Sequence, residues 1–497
     1  MLQSKIKHNH GDTMIGKQDR WQRHLFIAGD IDQFIPEDHI LRRVDRILDL
    51  SWLREEVRES YCEENGRPGI DPEAAVRLML AGFFHGVVHD RKLMREAQVN
   101  LALRWFAGYS LEDRLPDHSS LSRIRQRWGE ERFKEIFQRT VKTCIEKGLV
   151  SGETVHIDAT LIRADVSWES ITERHAEQVV AENGTEEKTE SDETRPRGPG
   201  RPRTKRKQAK KVSSTDPEAT LVTTRRDFHL EPSYKQHTAV DDKAGVIVDI
   251  EVTTGEANEG QRLLETVERI EQTTGKKLEQ VTADKSYAHG RNYAGLEKRG
   301  IDGIIPPERE RVTEKRIPIR RFKYDGKHQR VRCPGGKILE QSNRTKNGWF
   351  YRARKSDCSV CPLQKRCIPE TAKVRVILIV EGYEALLRAR RRKNRGWDEN
   401  TQRVYNRHRV YVEGVHGEGK TQHGLRRALR RGLANVAIQV YLIAAVINLK
   451  RLAKAVVGPR PYDGGWYLII RNRLGAFIKQ FFGDWVEKLY SALFCTA

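Results

Sequence analysis

Three carboxylates in this 497-residue chain stand in local contexts that together point to chemistry. Asp158 lies inside the run VHIDATLI, flanked by apolar residues. A buried charge there is expensive unless it pairs or binds a metal. Asp284 closes the apolar-to-polar run LEQVTADKSY, where a central strand would reach a functional edge. Glu413 lies in RHRVYVEGVHGEGK. Taken singly, each reads by default as a capping or surface acid. Together, in these contexts, they suit metal-dependent chemistry on a phosphodiester. That chemistry must activate a water or a 3′-hydroxyl, stabilise the leaving oxygen and neutralise charge developing on phosphorus. Two divalent ions held ~3.5–4 Å apart do all three. Mg²⁺ (or Mn²⁺) is a hard cation held by a few carboxylates plus substrate phosphate. Adjacent strand ends, ~5 Å apart, deliver such carboxylates well, and a helix packed over the sheet can supply the last.

Helical geometry selects Glu413 over its neighbour Glu418. At ~100° per residue, Arg409 lies ~40° from Glu413 and Lys420 ~20° on the other side, so the three share one face, while Glu418 is ~140° away. Gly414, Gly417 and Gly419 each weaken a helix by about 1 kcal/mol relative to Ala, so irregularity is expected there.

The surrounding pattern says what must position these groups. Residues 30–150 read as mostly helical, with Ile40, Val44, Ile47 and Leu48, then Ala75, Leu78 and Met79, at helical spacing. Asp71 before Pro72, and Asp117 after Pro116, look like helix starts. Arg123 and Arg127 share a helix face there, with Arg125 off it. Such a region suits a helix-turn-helix DNA module or a plain helical bundle with a basic face. Residues 153–167 alternate like a strand. A polar tract, 174–216, is acidic and then basic and reads as a linker. From Tyr234 come a hairpin turning at residues 242–245, a helix, the strand bearing Asp284, a second helix and an extended GIDGIIPP. This alternation predicts an α/β core with a mixed sheet. Residues 308–400 are basic, irregular and weakly apolar and read as an insertion with little core of its own, with the core resuming near Val404.

The segments HIDATLIRA, TADKSY and RVYVEGVHGEGK resemble the three catalytic segments of bacterial insertion-sequence transposases of the Asp-Asp-Glu type. The branch with a Tyr-Arg-Glu-Lys signature is the most similar. Arg409, Glu413 and Lys420 fall at its spacing, and the Tyr position is Asn406. GIDPEAAVRLML, LPDHSSLSRIRQRWG, STDPEA and YKQHTAVDD add to the resemblance, which covers roughly residues 25–455. It implies an α/β fold with an RNase H-like mixed sheet flanked by helices, an N-terminal all-α domain and an insertion between the second and third carboxylates. The expected organisation is a flexible 1–29, a DNA-binding 30–150, catalytic core at 151–307 and 401–455, an insertion at 308–400 and a tail at 456–497. It also implies catalysis and metal binding by Asp158, Asp284 and Glu413, nicking at element ends, strand transfer by the freed 3′-hydroxyl, and a homodimer or higher oligomer on double-stranded DNA. A nuclease without strand transfer and a transposase-derived DNA-binding regulator are the alternatives.

Composition agrees with a polyanionic partner. Lys and Arg number 91 against 69 acidic residues, a formal net charge of +22. The tract RGPGRPRTKRK resembles an AT-hook that would lay Arg201 and Arg203 along an A·T minor groove, or is a generic basic linker. Arg426 and Arg430, spaced i, i+4, could track a phosphate backbone or form a solvated helix face. Cys333, Cys358, Cys361 and Cys367 suit a structural Zn²⁺, with His328 as an alternative ligand, or are four plain thiols. Cys62, Cys144 and Cys495 read as ordinary thiols. The N-terminus lacks an apolar run fit for a signal peptide, and Val436–Leu449 reads as a buried core helix rather than a membrane span. A cytoplasmic, nucleoid-associated bacterial protein with no membrane partner is expected.

Overall fold

The computed structural model describes residues 30–61, 69–167, 171–174, 210–223, 230–308, 316–369 and 372–456. The N-terminal region is helical: α1 (Ile40–Asp45), α2 (Leu53–Glu56), α3 (Pro72–Phe84), α4 (Asp90–Val99), α5 (Leu101–Phe106) and α6 (His118–Glu146). The caps are those the sequence announces. The Asp71 carboxylate accepts from the amides of Glu73 (2.8 Å) and Ala74 (3.1 Å), and Asp117 accepts from that of Ser119 (2.8 Å). Helix α6 kinks at Gly129, whose φ of +71° disfavours a side chain. Leu121, Ile124 and Trp128 before the kink, and Phe133, Phe137 and Val141 after it, are all buried.

A mixed sheet follows. It contains β1 (Thr154–Arg163), β4 (Thr220–Thr223), β5 (Leu230–Asp241), β6 (Ile247–Thr254), β7 (Gln280–Ala283) and β8 (Asp302–Ile304). Strand β5 runs antiparallel to β1 and to β6, with β4 continuing the β6 edge. Strands β1, β7 and β8 are parallel. The order β6-β5-β1-β7-β8, three antiparallel strands followed by two parallel additions beside β1, is the RNase H-like arrangement. Helices α7 (Leu263–Thr274) and α8 (Gly290–Arg299) make the crossovers to β7 and β8.

The last described helix, α14 (Leu433–Val456), joins the two regions by packing on α3, α6 and β6. It is long and apolar enough to cross a membrane, yet 78% of its most apolar window is buried inside the protein. Its two buried polar residues, Gln439 and Asn448, are structural staples. Asn448 pairs with both backbone groups of Ile247 at 2.9 Å, as a neighbouring strand would. Gln439 accepts from the Leu429 amide (2.8 Å) and donates to the carbonyls of Gly424 (3.1 Å) and Arg427 (3.0 Å). Each buried amide is thereby satisfied, which burial requires.

Two expectations are corrected. The linker read at 174–216 is ordered at its far end. Strand β2 (Ile171–Arg174) pairs with β3 (Lys210–Ser213), and Asp216 is buried, accepting from the Tyr234 hydroxyl at 2.5 Å. The insertion is also not irregular. It forms an antiparallel sheet from β9 (Lys323–Asp325), β10 (Arg330–Arg332), β11 (Ile338–Thr345), β12 (Gly348–Arg352) and β13 (Val376–Val380), with short helices α9 (Lys355–Ser359) and α10 (Gln364–Cys367). Phe322, Val331, Leu339, Tyr351, Ile377, Ile379 and Tyr383 give it an apolar cluster of its own. Helix α11 (Tyr383–Arg395) returns the chain to the core along α8. There Gly382, at φ +69°, passes so close to Gly290 that an added Cβ would lie 2.1 Å from its carbonyl oxygen.

Candidate active site

Strand register sets the first two carboxylates side by side. Strands β1 and β7 pair from Thr154↔Gln280 to Ile157↔Ala283, and the next residue on each strand is Asp158 and Asp284. On the other flank Asp158 pairs with Thr238 of β5. Burial, reinforced by the charges of Asp284, Glu259 and Glu413, pushes the Asp158 carboxyl up to about 7. The three acids of the sequence reading are thus within electrostatic reach of one another. They are not yet a ligand shell. Asp284 turns onto its own 3₁₀ turn, accepting from the Ser286 amide (2.7 Å) and hydroxyl (2.5 Å). Glu413 is paired with Arg409 at 3.2 Å. Among the described residues, no three His, Cys, Asp or Glu side chains are gathered tightly enough to hold a metal ion.

Glu413 is delivered by an irregular helix, as the glycines suggested. Helix α12 (Glu399–His408) opens into a π-turn over Arg409–Glu413 and continues as α13 (Gly414–Gln422). π-Turns of this kind frequently mark functional sites. The wide turn sends Val412 into the core and leaves Arg409, Val410 and Glu413 exposed. Two turns further on, the Lys420 ammonium donates to the Thr160 hydroxyl at 2.5 Å. Thr160 is two residues from Asp158 and so on the same face of β1. Glu418 faces away, bound by Lys450 (2.5 Å) and Arg451 (2.6 Å) of α14 and lying near His423 (3.6 Å). Burial alone would raise its carboxyl, but these cationic and hydrogen-bonding partners hold it far below the usual range.

Several residues of this site are ones the sequence reading did not single out. His416 of α13 contacts the Thr238 hydroxyl through Nε2 at 3.0 Å and stands 3.9 Å from Asp158 through Nδ1. Burial lowers its pKa to about 3, so it is neutral. The Thr282 hydroxyl lies between His156 Nδ1 (2.7 Å) and His408 Nδ1 (2.8 Å), tying β1, β7 and α12 together under the carboxylates. Tyr405 is held above its ordinary pKa by burial and by Asp284, Asp158 and Glu413. The neighbour of the mismatched Asn406 is therefore the tyrosine that sees all three acids. Glu259 lies in the 3₁₀ turn before α7 and touches Lys235 (3.1 Å) and Ser286 (2.6 Å). The one sequence signal for His416 was its position between Glu413 and Lys420. Glu259 had none.

The basic candidates separate. Arg123 is exposed on α6, and Arg127, also exposed, stacks over Tyr61 at 4.8 Å. Arg125 is buried and ion-paired with Asp90. Arg430, expected on a DNA-facing helix, instead spends its charge on the same Asp90 at 2.5 Å. Residues 424–432 form turns rather than a helix, so the i, i+4 spacing of Arg426 and Arg430 does not align them; Arg426 alone of the two is exposed. Arg201, Arg203 and the AT-hook-like tract lie outside the described residues, as do Cys62 and Cys495. Cys144 is a buried thiol. Cys333, Cys358, Cys361 and Cys367 are free thiols lining one small cavity. An added Cβ on Gly335 would lie 3.4 Å from Cys361 Sγ and 3.6 Å from Cys333 Sγ. His328 is turned to Asp325 at 2.8 Å.

Comparison with known proteins bears on this arrangement. Residues 29–127 match the family model described as a transposase domain (DUF772), and residues 332–453, which include Glu413, match that described as a transposase DDE domain. These matches make both segments transposase domains by family, the second of the DDE type. No curated protein matches it. Among solved structures it is similar to a pre-cleavage Mos1 transpososome at 10% identity, covering 51% of this chain and 65% of that one, with a TM-score of 0.15. It is similar also to the Mos1 mariner paired end complex with Mn at 12% identity, covering 51% and 64%, again with a TM-score of 0.15. The chain thus spans slightly under two thirds of either, and at that TM-score the likeness carries no argument.

Proposed function

We propose that this chain is the transposase of a bacterial insertion sequence, binding double-stranded DNA at the element ends, nicking it and joining the freed 3′-hydroxyl to a target. The observation that carries this reading is the register that sets Asp158 beside Asp284, with Glu413 brought over them by the π-turn. The donor set fits Mg²⁺ or Mn²⁺: all oxygen and anionic, with Asp158 pushed up to about 7 by burial and then by the neighbouring acids. Such ions, held by Asp158, Asp284 and Glu413, would activate the attacking oxygen and neutralise charge on phosphorus.

The chain's own residues do the rest. Asp284 must leave Ser286, and Glu413 must leave Arg409, to face the scissile phosphate. Arg409, largely exposed, is then free to take a phosphate oxygen. Lys420, fixed on Thr160, supplies positive charge beside Asp158. Neutral His416, held on the Thr238 hydroxyl and 3.9 Å from Asp158, lines the site without adding charge. Arg123, Arg127 and Arg426 offer phosphate contacts, and the basic tract with Arg201 and Arg203 extends them. The protein acts in the cytoplasm at the nucleoid, as a dimer or larger assembly on DNA. Cys333, Cys358, Cys361 and Cys367 line one cavity of the insertion and would hold a structural Zn²⁺ once drawn together around it.

The test is a cleavage and joining assay on DNA carrying the sequences that flank this protein's own gene. Mg²⁺-dependent nicks that mature into joined target product are expected, with loss in EDTA and return with Mg²⁺ or Mn²⁺. Nicks without joined product would make the chain a nuclease, and binding without nicks a regulator.

A further inference from the structure

Beside the proposed triad lies a fourth carboxylate with a partner set of its own. Glu259 sits where the chain leaves the β6 edge for α7. Its Oε1 faces the Lys235 ammonium at 3.1 Å, and that ammonium also donates to the Ala257 carbonyl at 2.8 Å. Lys235 is almost wholly buried, so the Glu259 side chain is held from behind by a fixed cation. Its Oε2 faces the Ser286 hydroxyl at 2.6 Å, and the same hydroxyl lies 2.5 Å from Asp284 Oδ1. A serine hydroxyl has one proton to donate. Two carboxylates therefore compete for one donor, and it serves one at a time. A second observation concerns Tyr287, the next residue. Its side chain is 1% exposed, its hydroxyl has no hydrogen-bond partner among the described residues, and it lies within electrostatic reach of Glu259, Asp158 and Asp284. Buried hydroxyls are normally satisfied, so this one marks a place that a polar ligand or a reoriented carboxylate fills.

We infer that Glu259 is a positioning residue for Asp284. When Asp284 turns from Ser286 toward a divalent cation, the hydroxyl passes wholly to Glu259. Lys235 keeps Glu259 in place to receive it. Without Glu259, the Ser286 proton stays with Asp284, and that carboxylate stays turned onto its own 3₁₀ turn. Glu259 thus acts through Ser286 on Asp284. This inference rests on the metal-binding role proposed for Asp284.

The experiment measures Mn²⁺ affinity of the full chain by electron paramagnetic resonance of free Mn²⁺, with thermal melting as a check on folding. Glu259→Gln, Ser286→Ala, their double variant and Asp284→Asn are compared. Outer-shell partners of this kind typically change metal affinity by about 10–100-fold. Glu259→Gln is expected to weaken Mn²⁺ binding about tenfold with little change in melting. The double variant is expected to bind like Ser286→Ala alone, because both act through one hydroxyl. Wild-type affinity in Glu259→Gln, with Asp284→Asn still defective, would overturn this inference alone. So would additive losses in the double variant, or a Glu259→Gln loss as large as that of Asp284→Asn, which would make Glu259 a ligand itself. Wild-type Mn²⁺ affinity in Asp284→Asn would overturn the metal-site reading beneath it.

Discussion

The core and the insertion are built by different rules. In the core, buried polar groups join segments far apart in sequence. Asp90 of α4 binds Arg125 of α6 and Arg430 before α14; Asn448 completes the β6 edge; Glu418 fixes α13 to α14; Thr282 bridges two histidines. The insertion has its own small apolar cluster and meets the core through α11, whose ion pairs Arg388–Glu297 and Arg392–Asp302 are exposed. The comparison teaches that the proposed three-acid centre is placed in the part of the molecule whose segments are cross-tied by buried polar groups. The insertion is attached as a semi-independent unit, without disturbing the register of β1 and β7.

Breaking the core's ties should cost the most. Asp90→Ala leaves the Arg125 and Arg430 guanidiniums without their acid, and Arg125, depressed by burial to about 10, is already strained in its charged form. A loss of about 3–5 kcal/mol is expected, the range for removing one partner of a buried ion pair. Urea unfolding of the full chain should show it as one shift shared by α6 and the sheet. A shift of less than about 1 kcal/mol would show that Asp90 is dispensable to the cross-tie.

Tyr351→Ala empties the centre of the insertion cluster, where the ring is 1% exposed. A similar loss of about 3–5 kcal/mol is expected, the range for large-to-small changes at a buried aromatic, but a confined one. Hydrogen exchange should rise across residues 322–380 and stay unchanged in β1 and β7. Equal loss of protection in β1 would abolish the distinction between the two regions.

Acid should separate them in a graded way. Burial lowers the pKa of His408 and His237 to about 4 and of His416 to about 3, against 6.5 for the ordinary group. A depressed folded pKa means that stability is present in full above pH 6.5 and lost as the pH falls toward 4, because the unfolded chain takes up the protons first. The core should therefore lose protection between pH 6.5 and 4, after correction for the intrinsic pH dependence of exchange. The insertion sheet, whose one histidine is the exposed His328, should lose much less. The smallest effect belongs to the exposed link: Arg388→Ala should cost about 0–1 kcal/mol, as surface ion pairs do.

Much of this was legible in the sequence where the signal is local. Asp71 and Asp117 announce their helices, and alternation through residues 153–167 and 234–254 announces the antiparallel strands. Asp158 and Asp284 stand out because an acid after an apolar strand is costly without a purpose. What was not legible depends on partners distant in the chain. Arg430 reads as a phosphate contact until Asp90, 340 residues away, is seen beside it. Glu259 and His416 acquire meaning only when β1, β5 and the 3₁₀ turn at Lys285–Tyr287 converge. The insertion strands were missed because they are short and mostly wet: in Ile338–Thr345 only Leu339 is buried, so no period-2 pattern is written.

The central claim is that Asp158, Asp284 and Glu413 form one metal-dependent centre. Its most direct test is Mg²⁺-dependent nicking of end DNA by Asp158→Asn, Asp284→Asn and Glu413→Gln, each measured beside its DNA affinity. The account predicts that all three keep wild-type affinity and lose at least about a thousandfold in nicking, the scale of removing a group on which the transition state depends. Full-rate nicking by any one of them would remove that residue from the centre, and with it the register argument on which the assignment stands.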